Sequence, residues 1–312
     1  MPVIDVLDSS LYFAEFTAPD GTQGGAPDRA PDGGADPGLP FVFLHGNPVS
    51  SHVWRHVLPA VGGGRRLLAP DLIGMGRSGR PELDFSPAGF YADQARYLDA
   101  WFDALGIERA VLVGLDWGGS LALDRAARLP GRVAGVALME TILRPVSWAE
   151  FPEQARERWT RIKTPGVGET MVLEQDAFAE SFAHTVLGGL TDADLAAYRA
   201  PYPTPESRRP LLAWARSMPI AGDPPAVVDR VTAYGDWLAT SPDVPKLLLT
   251  FEGSPTLIVD PAAVAWCERH ATALETVACG PAGHQAPEDQ PLAIAGAITA
   301  WADRHGLATR QK

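Results

Sequence analysis

Short runs of apolar residues recur along this chain, and segments long enough to form helices separate them. The runs occupy residues 41–44, 67–69, 110–115, 133–139, 246–251 and 274–278. Strands that are apolar on both faces and alternate with helices are typical of a parallel sheet that helices cover on both sides. The pattern therefore predicts an α/β fold with a mostly parallel central sheet flanked by helices.

Two segments precede the first of these runs. Residues 3–16 alternate apolar and polar side chains, which predicts a β-hairpin with one face in solvent. Residues 18–40 are rich in Gly, Pro, Asp and Ala and have no apolar periodicity. Such a composition is typical of a long flexible loop, so we expect the hairpin to be followed by a segment without regular structure.

A helical block punctuated by proline interrupts the alternation of strands and helices between residues 143 and 245. Its helices are predicted over residues 148–161, 174–187, 192–200, 208–216 and 224–240. An insertion between consecutive strands of an open sheet lies above the carboxyl edge, where such folds bind their ligands. The sequence therefore predicts a core domain over residues 1–143 and 241–312, with a helical cap domain over residues 144–240.

Length and composition narrow the possible functions. The 312 residues are 46% hydrophobic, which is enough for a large buried core, and they carry a net charge of −12. This charge repels nucleic acids and anionic membrane surfaces at long range. Two cysteines are too few for a disulfide framework, and no apolar stretch reaches the length of a membrane span. We therefore expect a cytoplasmic protein that binds neither nucleic acid nor membrane.

The most specific local motif is Gly-Leu-Asp-Trp-Gly at residues 114–118, between a buried strand and a helix start. Flanking glycines are typical of the strained strand-to-helix turn called the nucleophile elbow, whose central residue is usually serine. Here the central residue is Asp116, and a carboxylate attacks without a base to activate it. Chemistry at this elbow would run through an ester of Asp116. The alternative is a glycine-rich turn in which Asp116 only caps the helix.

A second motif, His-Gly-Asn-Pro at residues 45–48, follows another predicted strand. In a fold with an Asp elbow, this turn donates one backbone N–H to the oxyanion hole, and the residue after the nucleophile donates the other. These donors would be Asn47 and Trp117. Both side chains also carry N–H groups and neither is a base, so the pair suits an anion that departs during the reaction.

A histidine follows the last predicted strand, in the sequence Gly-Pro-Ala-Gly-His-Gln at residues 280–285. The chain order nucleophile, acid, histidine places a general base at this position. We therefore predict that His284 activates water against the Asp116 ester.

The acid that orients this histidine is missing from its usual place, because the segment after residues 246–251 reads Gly-Ser-Pro-Thr. Glu140 ends an earlier strand and so lies at the same edge of the sheet, and we assign it to orient His284 and stabilise its cation. Glu252 and Asp260 are the fallback candidates. The alternative for Glu140 is an ordinary surface ion pair.

Several stretches of this sequence resemble the haloalkane dehalogenases of the α/β-hydrolase superfamily. They are the elbow at 114–118, the segment at 45–51, the run at 69–78 and the strand end at 139–140. The resemblance spans nearly the whole chain, and the subfamily it indicates takes its acid from the strand-end glutamate, the position of Glu140. The long segment at 18–40 and the sequence after His284 depart from the family pattern, which affects the expected pocket shape and substrate range.

The resemblance implies an α/β-hydrolase fold with an inserted cap, and a hydrolase that needs no metal or organic cofactor. Asp116 would displace a halide ion from a small halogenated alkane, while the indole of Trp117 and the amide of Asn47 bind that ion. Water activated by His284, with Glu140 holding the imidazolium, would then hydrolyse the alkyl ester. The products would be an alcohol, a halide ion and a proton, and the protein would be a monomer or a weak homodimer.

Two other functions are open at this point. An epoxide hydrolase would use the same Asp116 and His284, although Asn47 and Trp117 favour a halide over an epoxide. Such an enzyme also needs phenolic donors from the cap, and the candidates are Tyr198, Tyr202 and Tyr234. The other function is that of a non-catalytic ligand receptor or scaffold with the same fold, which predicts an incomplete set of catalytic residues.

Overall fold

The computed structural model describes residues 2–16, 38–62 and 64–307. Its strands are β1 Val3–Val6, β2 Ser9–Phe16, β3 Phe41–Leu44, β4 Leu67–Pro70, β5 Ala110–Leu115, β6 Val133–Met139, β7 Lys246–Glu252 and β8 Leu274–Pro281. They form one sheet in the order β1-β2-β4-β3-β5-β6-β7-β8. Strand β2 is antiparallel to both β1 and β4, whereas the pairs from β4 through β8 are parallel.

The helices lie between and after these strands. They are α1 Val57–Val61, α2 Pro87–Ala104, α3 Trp117–Arg128, α4 Glu153–Lys163, α5 Val167–Glu169, α6 Ala177–Phe182, α7 Asp192–Arg199, α8 Arg209–Ser217, α9 Pro225–Thr240, α10 Pro261–His270, α11 Ala286–Asp289 and α12 Pro291–Arg304. Short 3-10 turns span Ser51–Trp54, Ala183–Thr185 and Glu206–Arg208, and a π-helical turn spans Thr170–Glu174. None of the described helices is long and apolar enough to cross a membrane.

Helices cover both faces of the sheet. Helices α2, α3 and α9 pack on one face around buried residues such as Trp101 and Leu121, and α1 and α12 pack on the other around Val57 and Trp301. Burial of a large apolar side chain stabilises the fold by about 1.5–3 kcal/mol. The predicted α/β architecture is therefore confirmed, with a hydrophobic core on each side of the sheet.

The hairpin at residues 3–16 is present as β1 and β2, but the prediction that one of its faces lies in solvent is wrong for β2. Residues Leu11 to Glu15 are buried, because β2 lies between β1 and β4 and both faces of the sheet are covered there. Strand β8 is half-exposed instead, because it is the last strand of the sheet. The predicted loop at 18–40 lies mostly outside the described residues.

Helices α4 to α9 form the predicted insertion between β6 and β7. The first of them begins at Glu153 rather than at residue 148. Ser147 donates both its backbone N–H and its hydroxyl to the Glu150 carboxylate, at 2.9 and 2.8 Å, which closes a turn ahead of the helix, and Pro152 is the N-cap. The domain boundaries, with the core at 1–143 and 241–312 and the cap at 144–240, stay a prediction.

Candidate active site

The carboxyl ends of the parallel strands bring the predicted site together. Segments that follow β3, β5, β6, β7 and β8 meet at one edge of the sheet, below the inserted helices. Open α/β sheets bind ligands at this edge. The sequence-predicted residues come from these segments, so the fold places them within reach of one another.

Asp116 lies in the turn between β5 and α3 with φ +52° and ψ −124°, a conformation that non-glycine residues rarely adopt. The turn is tight, because a Cβ atom on Gly118 would lie 2.1 Å from the carbonyl oxygen of Leu44. The hydroxyl of Thr141 donates a hydrogen bond of 2.6 Å to the Asp116 backbone carbonyl. These contacts hold the carboxylate of Asp116 at the end of β5.

The turn at residues 45–48 lies directly against this carboxylate. The backbone N–H of Asn47 donates to Oδ2 of Asp116 at 2.8 Å, and the backbone N–H of Trp117 also hydrogen-bonds this carboxylate. Gly46 permits the approach, since a Cβ atom there would lie 2.4 Å from Oδ2 of Asp116. Two backbone N–H groups thus bind the carboxylate of Asp116, and that of Asn47 binds its Oδ2.

The side chains of Asn47 and Trp117 both contact α8. The Asn47 amide donates from Nδ2 to the carbonyl of Leu211 on α8 at 3.2 Å, which leaves its second N–H for another acceptor. The indole of Trp117 stacks on Trp214 at 4.7 Å between centroids and meets the ring of Tyr91 edge-on. Both potential anion donors are therefore held in place by contacts with neighbouring residues.

His284 lies between the two carboxylates of the predicted triad. Its Nε2 is 3.8 Å from Oδ1 of Asp116, and its Nδ1 is 3.1 Å from Oε2 of Glu140. The backbone N–H of His284 donates to the Thr256 hydroxyl at 3.1 Å. The imidazole can therefore reach a water molecule beside Asp116 while its other nitrogen is bound to Glu140.

Glu140 is 1% exposed and accepts backbone N–H groups from Ile258 at 2.8 Å and Val259 at 3.3 Å. The fallback candidates Glu252 and Asp260 are both exposed, and Asp260 caps α10. The structure thus brings Glu140 to the histidine. The sequence did not predict that Ile258 and Val259 bind Glu140, because they do so through backbone N–H groups, which do not depend on the residue type.

For both Asp116 and His284, burial shifts the pKa in one direction and the neighbouring charges and hydrogen bonds shift it in the other. Burial raises the pKa of Asp116, against the charge of His284 and the backbone N–H groups of Asn47 and Trp117. For His284, burial works to lower the pKa, but the hydrogen bond to Glu140 and the negative charges of Asp116 and Glu140 outweigh it and raise the pKa. The site therefore favours a histidine that can accept and hold a proton.

A cavity of about 230 Å³ lies next to the segment that follows β6, and residues after α8 and at the start of α10 also line it. Its lining is mainly apolar and includes Thr141, Ile142, Phe151, Met218 and Ile258. A much smaller cavity of about 20 Å³ is lined by Pro48, Phe178, Phe182 and Leu211 among others. Mainly apolar cavities with a few polar groups suit small neutral ligands.

Comparison with known proteins agrees with this geometry. Residues 40–179 match the family model described as alpha/beta hydrolase fold. The chain is 42% identical to a haloalkane dehalogenase of Mesorhizobium japonicum over 301 residues, which covers 96% of this chain and 89% of that protein. It is 40% identical to a haloalkane dehalogenase of Agrobacterium fabrum, with 86% of each chain covered.

Solved structures lead to the same family. The crystal structure of haloalkane dehalogenase DbeA from Bradyrhizobium elkani is 39% identical in sequence and superposes with a TM-score of 0.86, covering 99% of each chain. A putative ancestral haloalkane dehalogenase superposes with a TM-score of 0.85 at 38% identity. With similar length, fold and sequence throughout, this chain belongs to the haloalkane dehalogenase family of the α/β-hydrolase fold.

Proposed function

We propose that this protein hydrolyses the carbon–halogen bond of small haloalkanes to give an alcohol, a halide ion and a proton. The observation that carries the proposal is the position of His284, 3.8 Å from the carboxylate of Asp116 and bound to Glu140 at 3.1 Å. A base at this position can activate water for the hydrolysis of an ester on Asp116. The relatives that match nearly the whole chain are haloalkane dehalogenases.

In the first half-reaction, Oδ1 of Asp116 attacks the carbon atom that carries the halogen. The carbon–oxygen bond forms as the carbon–halogen bond breaks, and the halide leaves with the electron pair of that bond. The side-chain N–H groups of Asn47 and Trp117 stabilise the departing anion. Oδ2 stays bound to the backbone N–H of Asn47 at 2.8 Å, which fixes the attacking carboxylate.

In the second half-reaction, Nε2 of His284 takes a proton from water as the water oxygen attacks the carbonyl carbon of the ester. The oxyanion develops on Oδ2, where the backbone N–H groups of Asn47 and Trp117 bind it. Glu140 stabilises the imidazolium through Nδ1. As this intermediate collapses, the bond between the carbonyl carbon and the alkoxy oxygen breaks, and the alkoxide takes the remaining proton of the attacking water to leave as the alcohol. The carboxylate of Asp116 is restored, and the proton on His284 is released to solvent.

Epoxide hydrolysis with the same Asp116 and His284 is the second candidate. The hydroxyl of Tyr234 donates to the carbonyl of Ile142 at 2.6 Å and Tyr198 donates to Glu288, so both phenols are engaged away from Asp116. Tyr202 lines the smaller cavity together with Pro48 and Leu211. This phenol is the one that would protonate an epoxide, and styrene oxide is the substrate that tests it.

We also propose a cytoplasmic protein that acts as a monomer or a weak homodimer, with the cap domain at 144–240. Cys267 and Cys279 are both free thiols, which agrees with a reducing compartment. Size-exclusion chromatography with light scattering measures the oligomeric state directly. The partners that we propose for the protein are a small halogenated alkane, water and the halide ion.

The activity is tested by halide and proton release from 1-bromobutane and 1,2-dibromoethane at neutral pH, with Asp116→Ala as the inactive control. The proposal predicts release by the wild type alone. Styrene oxide opening without halide release would support the epoxide hydrolase instead. A folded wild-type protein that acts on neither substrate would indicate a non-catalytic receptor or scaffold.

A further inference from the structure

The loop that carries His284 packs against the cap on both sides of the histidine. The backbone N–H of Gln285 donates to the carbonyl oxygen of Thr185 at 3.0 Å. On the other side, a Cβ atom on Gly283 would lie 2.1 Å from the same carbonyl oxygen. The 3-10 turn at Ala183–Thr185 therefore sets how far the histidine loop can move toward the cap.

Asp289, at the end of α11, joins this loop to the next cap residues. Its Oδ2 accepts the backbone N–H of Gly283 at 2.8 Å and that of Leu187 at 3.0 Å, and its Oδ1 accepts the N–H of Gly188 at 2.7 Å. Hydrogen bonds to an ionised carboxylate are shorter and stronger than those between neutral groups. One carboxylate thus connects the residue before His284 to consecutive residues of the cap.

The neighbouring carboxylate has a different set of partners. Glu288 binds both guanidinium nitrogens of Arg55, at 2.6 and 2.8 Å, and accepts the hydroxyl of Tyr198 on α7. Arg55 also pairs with Asp194 of α7 at 3.0 Å. These contacts attach the cap to the core, but Asp289 is the carboxylate bound to the backbone beside the histidine.

We propose that Asp289 is a positioning residue: it ties the His284 loop to Leu187 and Gly188, so that the cap holds the imidazole in place for ester hydrolysis. The inference rests on the proposed function. The attack of Asp116 on the haloalkane does not use His284, whereas hydrolysis of the ester depends on its position. A displacement of about 1 Å can cost roughly a hundredfold in rate, so the second half-reaction is the sensitive one.

The test is Asp289→Asn, which keeps the shape of the side chain but places an NH2 group where the carboxylate accepts N–H donors. Single-turnover rapid mixing with 1,2-dibromoethane measures halide release, and intact-protein mass spectrometry measures the alkyl ester. We expect ester hydrolysis to slow roughly tenfold or more while halide release changes little, so that the ester accumulates. The acid limb of the pH profile of ester hydrolysis should shift as well.

Asp194→Asn is the matched control, because Asp194 ties α7 to His52 and Arg55 without touching the histidine loop. It should leave the ratio of the two half-reactions unchanged. An equal change of that ratio in Asp194→Asn would assign the effect to general docking of the cap and overturn the inference. The inference would also be overturned if Asp289→Asn slowed both half-reactions equally, or if it slowed neither of them.

A second variant covers the case in which Asp289→Asn does not fold. Leu187→Pro removes the N–H that Leu187 donates to Asp289 and leaves the bond to Gly283 in place. We expect the same accumulation of ester, to a smaller extent, and no accumulation would contradict the inference. Failure of the proposed function is a separate result, because the wild type would then release no halide.

Discussion

At Gly46, the backbone approaches the Asp116 carboxylate so closely that one added side-chain atom would not fit. A Cβ atom at this position would lie 2.4 Å from Oδ2 of Asp116, so Gly46→Ala must displace the carboxylate or the turn that donates the Asn47 N–H. We expect kcat/KM for halide release to fall about a hundredfold, the cost of a misplacement near 1 Å. Gly296→Ala in α12 is the control, because a Cβ atom there meets nothing within 4 Å. Equal activity of both variants would contradict this geometry.

Glu140 contributes to the raised pKa of His284. The histidine must be neutral to take a proton from water, and its pKa is raised by the hydrogen bond to Glu140 and the charges of Asp116 and Glu140, against burial. Glu140→Gln removes the hydrogen-bonded charge and lowers the pKa of His284. Activity that depends on neutral His284 is lost as the pH falls through this pKa, so the acid limb should move to lower pH.

The same variant should hydrolyse the ester more slowly even above the limb, because the imidazolium loses its counter-charge. Mass spectrometry of Glu140→Gln mixed with 1,2-dibromoethane should therefore detect the alkyl ester. Glu252→Gln is the control, because Glu252 is exposed and ends β7. An unchanged acid limb in Glu140→Gln would contradict the assignment of Glu140.

The sequence was sufficient to place Asp116, Asn47, Trp117 and His284 at one edge of the sheet, because each belongs to a short motif at a strand end, whereas their catalytic roles stay a prediction. It could not reveal that the Thr256 hydroxyl binds the backbone of His284, or that the loop after β7 supplies N–H groups to Glu140. Those contacts join residues more than twenty positions apart through atoms that every residue possesses. Only the folded chain brings them together.

Among the elements, the segment after β6 and the residues that follow α8 line the cavity of about 230 Å³. Met218 is buried and lines that cavity together with Ile142 and Ile258. Met218→Trp should fill part of the 230 Å³ and shorten the alkyl chain that fits. We expect kcat/KM for 1-bromohexane to fall by roughly tenfold relative to that for 1,2-dibromoethane, since each methylene is worth about 1–3 kcal/mol.

The control for this change is Leu292→Trp, on the outer face of α12, where the side chain is 74% exposed. It should not alter the ratio of the two substrates. If Met218→Trp also leaves the ratio unchanged, the alkyl chain binds elsewhere, for instance near Pro48 and Leu211 in the smaller cavity.

Element boundaries were predictable where the apolar period was clear. Strands β3, β5 and β6 begin and end at the predicted residues, whereas the first cap helix begins late because the Ser147–Glu150 turn and Pro152 precede it. The exposure of the strands depended on the whole sheet. Strand β2 is buried because it lies inside the sheet, and β8 is exposed because it lies at the edge. The order of the strands cannot be read from the pattern of residues within one strand.

For the whole molecule, the attachment of the cap to the core depends on Arg55. Its partner Glu288 is only 3% exposed, so Arg55→Met leaves a buried carboxylate without its cation. We expect the free energy of unfolding in urea to fall by about 3 kcal/mol. Arg96→Met, whose side chain is 54% exposed beside Asp93, should cost less than about 1 kcal/mol. Equal losses in the two variants would contradict this account of the attachment.

The central claim is an ester between the substrate and Asp116, and a single turnover in water labelled with oxygen-18 tests it most directly. With enzyme in excess over 1-bromobutane, water attacks the ester carbonyl, so the label should enter the Asp116 carboxylate and the alcohol should carry unlabelled oxygen. Peptide mass spectrometry locates the label. Labelled alcohol together with unlabelled Asp116 would mean that water attacks the alkyl carbon rather than the carbonyl carbon of an Asp116 ester, and would contradict the account.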